Sequence, residues 1–338
     1  MTTIEKKPLL QVIGLSTHFL SFGGKRVVKA VDNVSFEIDE GDRVALIGES
    51  GCGKSTVSLS LLQVLPPGAL IVGGQILFEG KDLLKKNPKE MNAIRGKKIA
   101  MILQDTMLSL DPVFTVGAQI RETLSTHTEL RGDSLEERIK DLLLAVRIPD
   151  PARRMRQYPH ELSGGMRQRI VGAIALSCEP KLLIADEATT NLDVTIQLQY
   201  LNLLRDIQNK TGLTLLFITH NLGIVAELCE YVIVMYAGQV VERSPVMDLF
   251  DAPLHPYSKV LLEAAFGLGD MKNRVPITGE PPDLADLPPG CSFHPRCSFA
   301  DQRCRQEEPP EYRHEKRRPC LARIRPRQAD EPARPRGD

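Results

Sequence analysis

Residues Gly48–Thr56 read GESGCGKST and leave the chain few ways to fold. The apolar run Val44–Ile47 precedes them and the helix-compatible stretch Thr56–Val64 follows, giving the order strand, glycine-rich loop, helix. Gly48, Gly51 and Gly53 let the backbone curl until its N–H groups point inward, while the start of the following helix adds unpaired donors and a favourable dipole. Such a loop holds phosphate oxygens. The segment Gly48, Glu49, Ser50, Gly51, Cys52 and Gly53 supplies the cradle, Lys54 places positive charge on the outer phosphates, the Ser55 hydroxyl ligates Mg²⁺, and Thr56 completes the motif. A glycine-rich turn that binds nothing is the plain alternative, and the strand and helix on either side argue against it.

Three later apolar runs, Ile99–Leu103, Leu182–Ala185 and Leu213–Thr219, are each long enough for one buried strand, with helical patterns between them. That alternation predicts a mainly parallel α/β core. Short β-rich runs from Val12 to about Ile38, with Gly23 and Gly24 as a turn, predict antiparallel strands ahead of it. Between Thr115 and Leu176 the pattern is mostly helical; Leu135, Ile139, Leu142, Leu143 and Val146 recur on one helix face. From Tyr231 to Glu242 two apolar runs flank Ala237 and Gly238, a hairpin pattern expected to close the core.

The run Leu182–Ala185 ends in two adjacent acids, Asp186 and Glu187. At the tip of a strand, Asp186 is suited to hold the coordination shell of Mg²⁺ beside nucleotide phosphates. Glu187 is then free to face a water poised to attack the γ-phosphate, which makes it the general-base candidate. Without the phosphate loop upstream, such a pair reads as a solvated loop.

Charge excludes some partners: 43 basic residues balance 43 acidic ones, so no overall field draws the chain to nucleic acid or an anionic membrane surface. No apolar run approaches the roughly 18 residues of a membrane-spanning helix. Lys6 and Lys7 precede Pro8, Leu9 and Leu10, but polar residues soon interrupt, so no signal segment is expected. Cys52, Cys178 and Cys229 read as isolated reduced thiols.

Residues Leu162–Arg169 read LSGGMRQR. With the phosphate loop upstream and Asp186 and Glu187 downstream, this resembles the signature of the ATP-binding-cassette (ABC) ATPases. The resemblance implies an ABC fold of the phosphate-loop NTPase type: an α/β core with an antiparallel β subdomain and a helical subdomain. It also implies two such domains facing each other head to tail, with Ser163, Gly164 and Gly165 of one completing the ATP site of the other. Residue by residue, Gln104 resembles the Q-loop glutamine that senses Mg²⁺ and water, His220 the switch histidine at the γ-phosphate, and Asp193 the D-loop aspartate. Phe19 is the candidate aromatic for stacking on adenine, with Phe22 competing and strand packing the alternative for both. Thr106, Ala188, Asn191 and Asn221 depart from the usual pattern of peptide importers at positions that ligate neither phosphate nor metal.

Beyond Pro253 the composition shifts: Pro276, Pro281, Pro282, Pro288 and Pro289 mark an irregular segment, and the end from Arg323 is polar. The segment at His255, Pro256 and Tyr257, and GCSFHPRC at Gly290–Cys297, resemble the ATPases of oligopeptide, dipeptide and nickel importers. Cys291, Cys297, Cys304 and Cys320 lie with five, six and fifteen residues between successive members. Relatives in this subfamily can carry a four-iron cluster on such a set, and four thiolates equally suit structural Zn²⁺.

The expected division is an ABC ATPase domain over 8–250, with its helical subdomain at about 105–180, a cysteine-containing extension over 251–325 and a disordered tail over 326–338. The expected function is ATP hydrolysis that powers peptide uptake, with nickel import and a soluble ABC ATPase as alternatives. By resemblance, its partners are a related second ATPase subunit, two transmembrane permeases and an extracytoplasmic binding protein. The expected location is the cytoplasmic face of the inner membrane, held peripherally.

Overall fold

Burial alternates along Arg26–Asp39, where Val31, Val34, Phe36 and Ile38 are covered and Glu37 is exposed, so this segment forms a strand with one wet face. The computed structural model describes residues 8–21, 26–104, 109–190, 192–266, 279–313 and 321–324. Phe22, Gly23, Gly24, Thr106, Asn191, Pro276, Cys320 and the tail from 326 lie outside the described residues.

In chain order the first elements are strands β1 (Pro8–Ser21), β2 (Arg26–Asp39) and β3 (Arg43–Ile47), helix α1 (Lys54–Leu62), strands β4 (Ala69–Phe78) and β5 (Lys81–Asp82), α2 (Pro88–Asn92) and β6 (Ile99–Ile102). Then come α3 (Val116–His127), α4 (Gly132–Ala145), α5 (Pro151–Arg154), α6 (Gly164–Leu176), β7 (Leu182–Asp186), α7 (Val194–Thr211) and β8 (Thr214–Ile218). The last are α8 (Leu222–Leu228), β9 (Tyr231–Tyr236), β10 (Gln239–Pro245), α9 (Val246–Asp251), α10 (Pro256–Phe266), β11 (Glu311–Arg313) and β12 (Leu321–Arg323). They fall into two compact units. The first comprises 39–43 and 82–218, the second 9–38, 44–81 and 219 onward.

In the first unit β6, β7 and β8 run parallel, with Ile99 opposite Leu182 and Leu182 opposite Thr214. Every residue of β7 and β8 is buried, which accounts for their continuous apolar runs. Helices α3 to α6 lie between β6 and β7 in sequence. On α4 the stripe Leu135, Ile139, Leu142 and Leu143 is buried, as its spacing predicts.

In the second unit β1 pairs antiparallel with β4, from Leu10 opposite Phe78 to Phe19 opposite Ala69, in a sheet of order β2-β1-β4-β5. β3 runs parallel to β9, and β9 turns back into β10 through Ala237 and Gly238 at φ 48° and 80°. Two successive left-handed residues give the turn a twist that suits a hairpin. The hairpin forms as its pattern predicts, and the sheet continues beyond it. β12 pairs with β10 at Glu242 and Arg243, and β11 pairs with β12.

Leu254, Ala322, Ile324 and the partly buried Tyr312 pack into one apolar cluster against this join. Beside it the Glu242 carboxylate is 1% exposed and accepts from the N–H groups of Leu254 (2.9 Å) and His255 (2.8 Å). Its removal strands two buried donors. Glu242→Ala is therefore expected to lower unfolding free energy by about 2–4 kcal/mol, read from urea denaturation, whereas an unchanged midpoint would mean that water replaces the carboxylate.

Candidate functional site

The loop after β3 takes its shape from three glycines in different situations. A Cβ on Gly48 would meet the Met235 carbonyl oxygen at 2.2 Å, and one on Gly53 would meet that of Ala30 at 2.0 Å. Gly51 has open space but a φ of 79°. Gly53 then stands as N-cap of α1 at φ 103° and supplies no side-chain cap. The first-turn N–H groups of α1 are left to an anion.

Lys54, 6% exposed, folds its ammonium back over the loop and donates to the carbonyls of Gly48 (2.8 Å) and Glu49 (2.9 Å). Ser50, Gly51 and Ser55 are exposed, Thr56 is half-buried, and Cys52 is buried with its thiol pushed up by desolvation. A buried lysine over a curled, uncapped helix start fits a nucleotide polyphosphate. Phe19 is half-buried on β1, and Phe22 lies outside the described residues.

The first unit holds the acidic pair. Asp186 ends β7 at 4% exposure, and a carboxylate at a strand tip is a ligand that suits a hard cation such as Mg²⁺. Glu187 sits in the left-handed region at φ 46°, pinned by its N–H to the Ile218 carbonyl at 2.9 Å. For a non-glycine residue that conformation is uncommon. Gln104, just beyond β6, donates from Nε2 to Glu187 Oε2 at 3.0 Å, and the Thr190 hydroxyl lies 3.4 Å from the same oxygen. Glu187, read from the acidic pair, and Gln104, matched by resemblance, thus meet.

Ser163 caps α6 by accepting from the Met166 N–H at 3.4 Å, and Asp193 caps α7 by accepting from the Ile196 N–H at 3.0 Å. Ser163 and Gly164 are exposed beside the start of α6, while a Cβ on Gly165 would press to 2.8 Å on Ile196. Gly165 therefore has a packing reason of its own. In the second unit His220 is exposed just after Thr219, whose N–H donates to the Leu46 carbonyl at 3.2 Å.

Two residues of the C-terminal part converge on the phosphate loop. Tyr257 on α10 accepts the Glu49 N–H at 2.9 Å, and Arg296 grips the Glu49 carboxylate through Nη1 (2.7 Å) and Nη2 (2.9 Å). The guanidinium lies 5.7 Å over the Tyr236 ring and donates to its hydroxyl at 3.3 Å. Tyr236, Tyr257 and Phe293 form one aromatic cluster with centroids 4.6–5.4 Å apart. His255 packs on Phe293, accepts the Tyr257 N–H at Nδ1 (3.0 Å), and is driven down to about 3 by burial, so it is a neutral imidazole. Sequence reading missed these contacts to Glu49.

Cys291, Cys297 and Cys304 line one small cavity with His255 and His294. Burial, reinforced by the neighbouring Cys291 and Cys304, pushes the Cys297 thiol up to about 12. Among the described residues no group of three or more His, Cys, Asp or Glu side chains stands in a metal-holding arrangement. The three described thiols alone do not fit a cluster, and Cys320 lies outside the described residues.

Residues 31–190 match the family described as ABC transporter, and residues 241–304 match the oligopeptide/dipeptide transporter C-terminal region. The chain is 48% identical over 305 residues to a protein of Sinorhizobium fredii named a probable peptide ABC transporter ATP-binding protein, covering 89% of this chain and 90% of the relative. It is also 48% identical to the dipeptide transport ATP-binding protein DppD of Bacillus subtilis, over 86% of each chain. Among solved structures, a dimeric ATP-binding cassette with ADP and phosphate aligns at TM-score 0.63 and 24% identity, over 70% of this chain and 98% of the other, and shares the fold. A cassette of the cbiONQ ABC transporter complex of Clostridium perfringens aligns at TM-score 0.62 and 26% identity, over 73% of this chain and 92% of the other. With its phosphate loop, signature segment and C-terminal region accounted for over nearly its whole length, the chain belongs to the ATP-hydrolysing, ATP-binding proteins of the ABC transporter family.

Proposed function

We propose that this chain powers peptide import, as the ATPase subunit of a transporter at the cytoplasmic face of the inner membrane. The observation that carries the reading is its likeness, over nearly its full length, to ATP-binding proteins named for peptide and dipeptide transport. Those names favour peptide over nickel. No helix among the described residues is long and apolar enough to cross a membrane; in this proposal the path for substrate lies in partner permeases. A related second ATPase subunit and an extracytoplasmic binding protein complete the assembly.

In this reading Gly48–Thr56 hold the ATP phosphates, Ser55, Gln104 and Asp186 hold Mg²⁺, and Phe19 stacks on adenine. Glu187 is the general base, Gln104 orients it, and His220 meets the γ-phosphate. Ser163, Gly164 and Gly165 act on the partner's nucleotide, and Asp193 serves as the D-loop aspartate of the nucleotide site. The residue ranges 8–250, 105–180, 251–325 and 326–338 remain the proposed division of labour along the chain.

Co-purification from the native membrane tests the reading. Permeases should come down with the chain, and a dipeptide-loaded binding protein should stimulate phosphate release; ATPase activity without membrane partners would favour a soluble ABC ATPase.

A metal on Cys291, Cys297, Cys304 and Cys320, iron–sulfur or zinc, belongs to the same proposal. Its support is the run of four cysteines in the sequence and the resemblance of GCSFHPRC to such importers. Anaerobically purified protein is expected to contain iron and acid-labile sulfide in a ratio near one; zinc alone would assign a structural zinc site, and neither metal would retire the proposal.

A further inference from the structure

We infer that Arg296 is a positioning residue for nucleotide binding, acting on the phosphate loop through Glu49. The inference rests on the phosphate-loop reading of Gly48–Thr56.

Every polar group of Glu49 is engaged. Its N–H donates to Tyr257 Oη, its carbonyl accepts from Lys54 Nζ (2.9 Å) and the Cys52 N–H (3.3 Å), and its carboxylate takes both arms of Arg296. Lys54, the charge that meets phosphate, thus rests on a carbonyl whose position is set by Arg296 on one side and Tyr257 on the other. The pair is well covered: the Arg296 side chain is 4% exposed and that of Glu49 20%. A covered ion pair adds little net stability compared with apolar side chains of the same size, but its fork geometry defines orientation. Here the two nitrogens fix the plane of the carboxylate, and Tyr236 fixes the plane of the guanidinium.

The origin of Arg296 matters as much as its contact. It lies inside GCSFHPRC, between Cys291 and Cys297, in a loop tied down by the Cys291 N–H to the Cys304 carbonyl at 2.9 Å. A Cβ on Gly290 would meet the same carbonyl at 2.4 Å, so the loop's entry is as constrained as its middle. A movement of this loop displaces Arg296, whose bidentate fork is on Glu49. The C-terminal region therefore reaches the nucleotide site within a single polypeptide.

The test uses the full chain with a fluorescent ATP analogue, binding being read without turnover, alongside steady-state kinetics. Arg296→Met keeps most of the side-chain volume and removes the fork. It is expected to raise Kd and KM about tenfold while kcat changes less than about threefold, the pattern of lost ground-state positioning. Arg296→Lys keeps the charge without the planar fork and should recover only part of the affinity. In a Glu49→Gln background the Arg296→Met effect should shrink to less than half, because the two act as one unit. Wild-type affinity in Arg296→Met, or an effect equally large in both backgrounds, overturns the inference. If Arg296→Met does not fold, Arg296→Lys is decisive: a several-fold weaker Kd supports the inference and an unchanged one overturns it. Failure of the wild-type chain to bind the analogue would instead count against the phosphate-loop reading.

Discussion

Glu187→Gln is expected to slow steady-state ATP hydrolysis by about a hundredfold to ten-thousandfold, the range for loss of a general base, while ATP binding is retained. The amide is nearly isosteric with the carboxylate, and its oxygen can still accept from Gln104 Nε2, which meets Glu187 Oε2 at 3.0 Å in the native chain. The backbone at φ 46° is held by the N–H to Ile218 and is indifferent to the substitution. What disappears is the capacity to take a proton from water. Phosphate release and nucleotide retention, measured on the assembled transporter, separate the two effects. Hydrolysis within a few-fold of wild type would move the base to another group.

Replacing Gly53 by alanine is expected to abolish nucleotide binding or folding outright. The new Cβ would lie 2.0 Å from the Ala30 carbonyl oxygen, and φ is 103°, a value that L side chains rarely adopt. The obstacle is backbone of β2, not a side chain that can rotate aside. A cost above about 4 kcal/mol follows, in the range reserved for clashes and strain. Gly51→Ala is the internal control: φ is 79°, but nothing lies within 4 Å of the added carbon. Only the left-handed penalty applies, about 1–2 kcal/mol. Analogue titration and thermal melting of both variants decide the matter. Equal losses in the two would mean that the loop's backbone angles, and not its seat against β2, limit binding.

Much of the architecture was legible because it is written in short-range patterns. The fully buried strands β7 and β8 appear as unbroken apolar runs, α4 as a stripe of four leucines and isoleucines, and the β9–β10 turn as Ala237–Gly238 between apolar runs. The loop–helix order at Gly48–Thr56 is equally local. The meeting of Gln104 and Glu187 could be anticipated only through resemblance, since 83 residues separate them.

The grip of Arg296 on Glu49 spans 247 residues and obeys no period. Arg296 lies in GCSFHPRC, but that motif says nothing of what its side chain meets; its burial and its fork on Glu49 exist only in three dimensions. The pairing of β12 with β10 was hidden for a related reason. Leu321–Arg323 is three residues long, too short to show alternation, and its apolar partners Leu254 and Tyr312 come from elsewhere in the chain.

That short strand carries a practical consequence for anyone trimming the protein. A version stopped after α10 would lose both β12 and β11, and with them the cover over Glu242 and Arg243 on the outer side of β10. The exposed ribbon would present free amide and carbonyl groups above an apolar patch around Leu254, a template on which a second copy can dock strand to strand. Aggregation of such a fragment would then report a missing edge cover, a loss separate from that of Arg296 and its grip on Glu49.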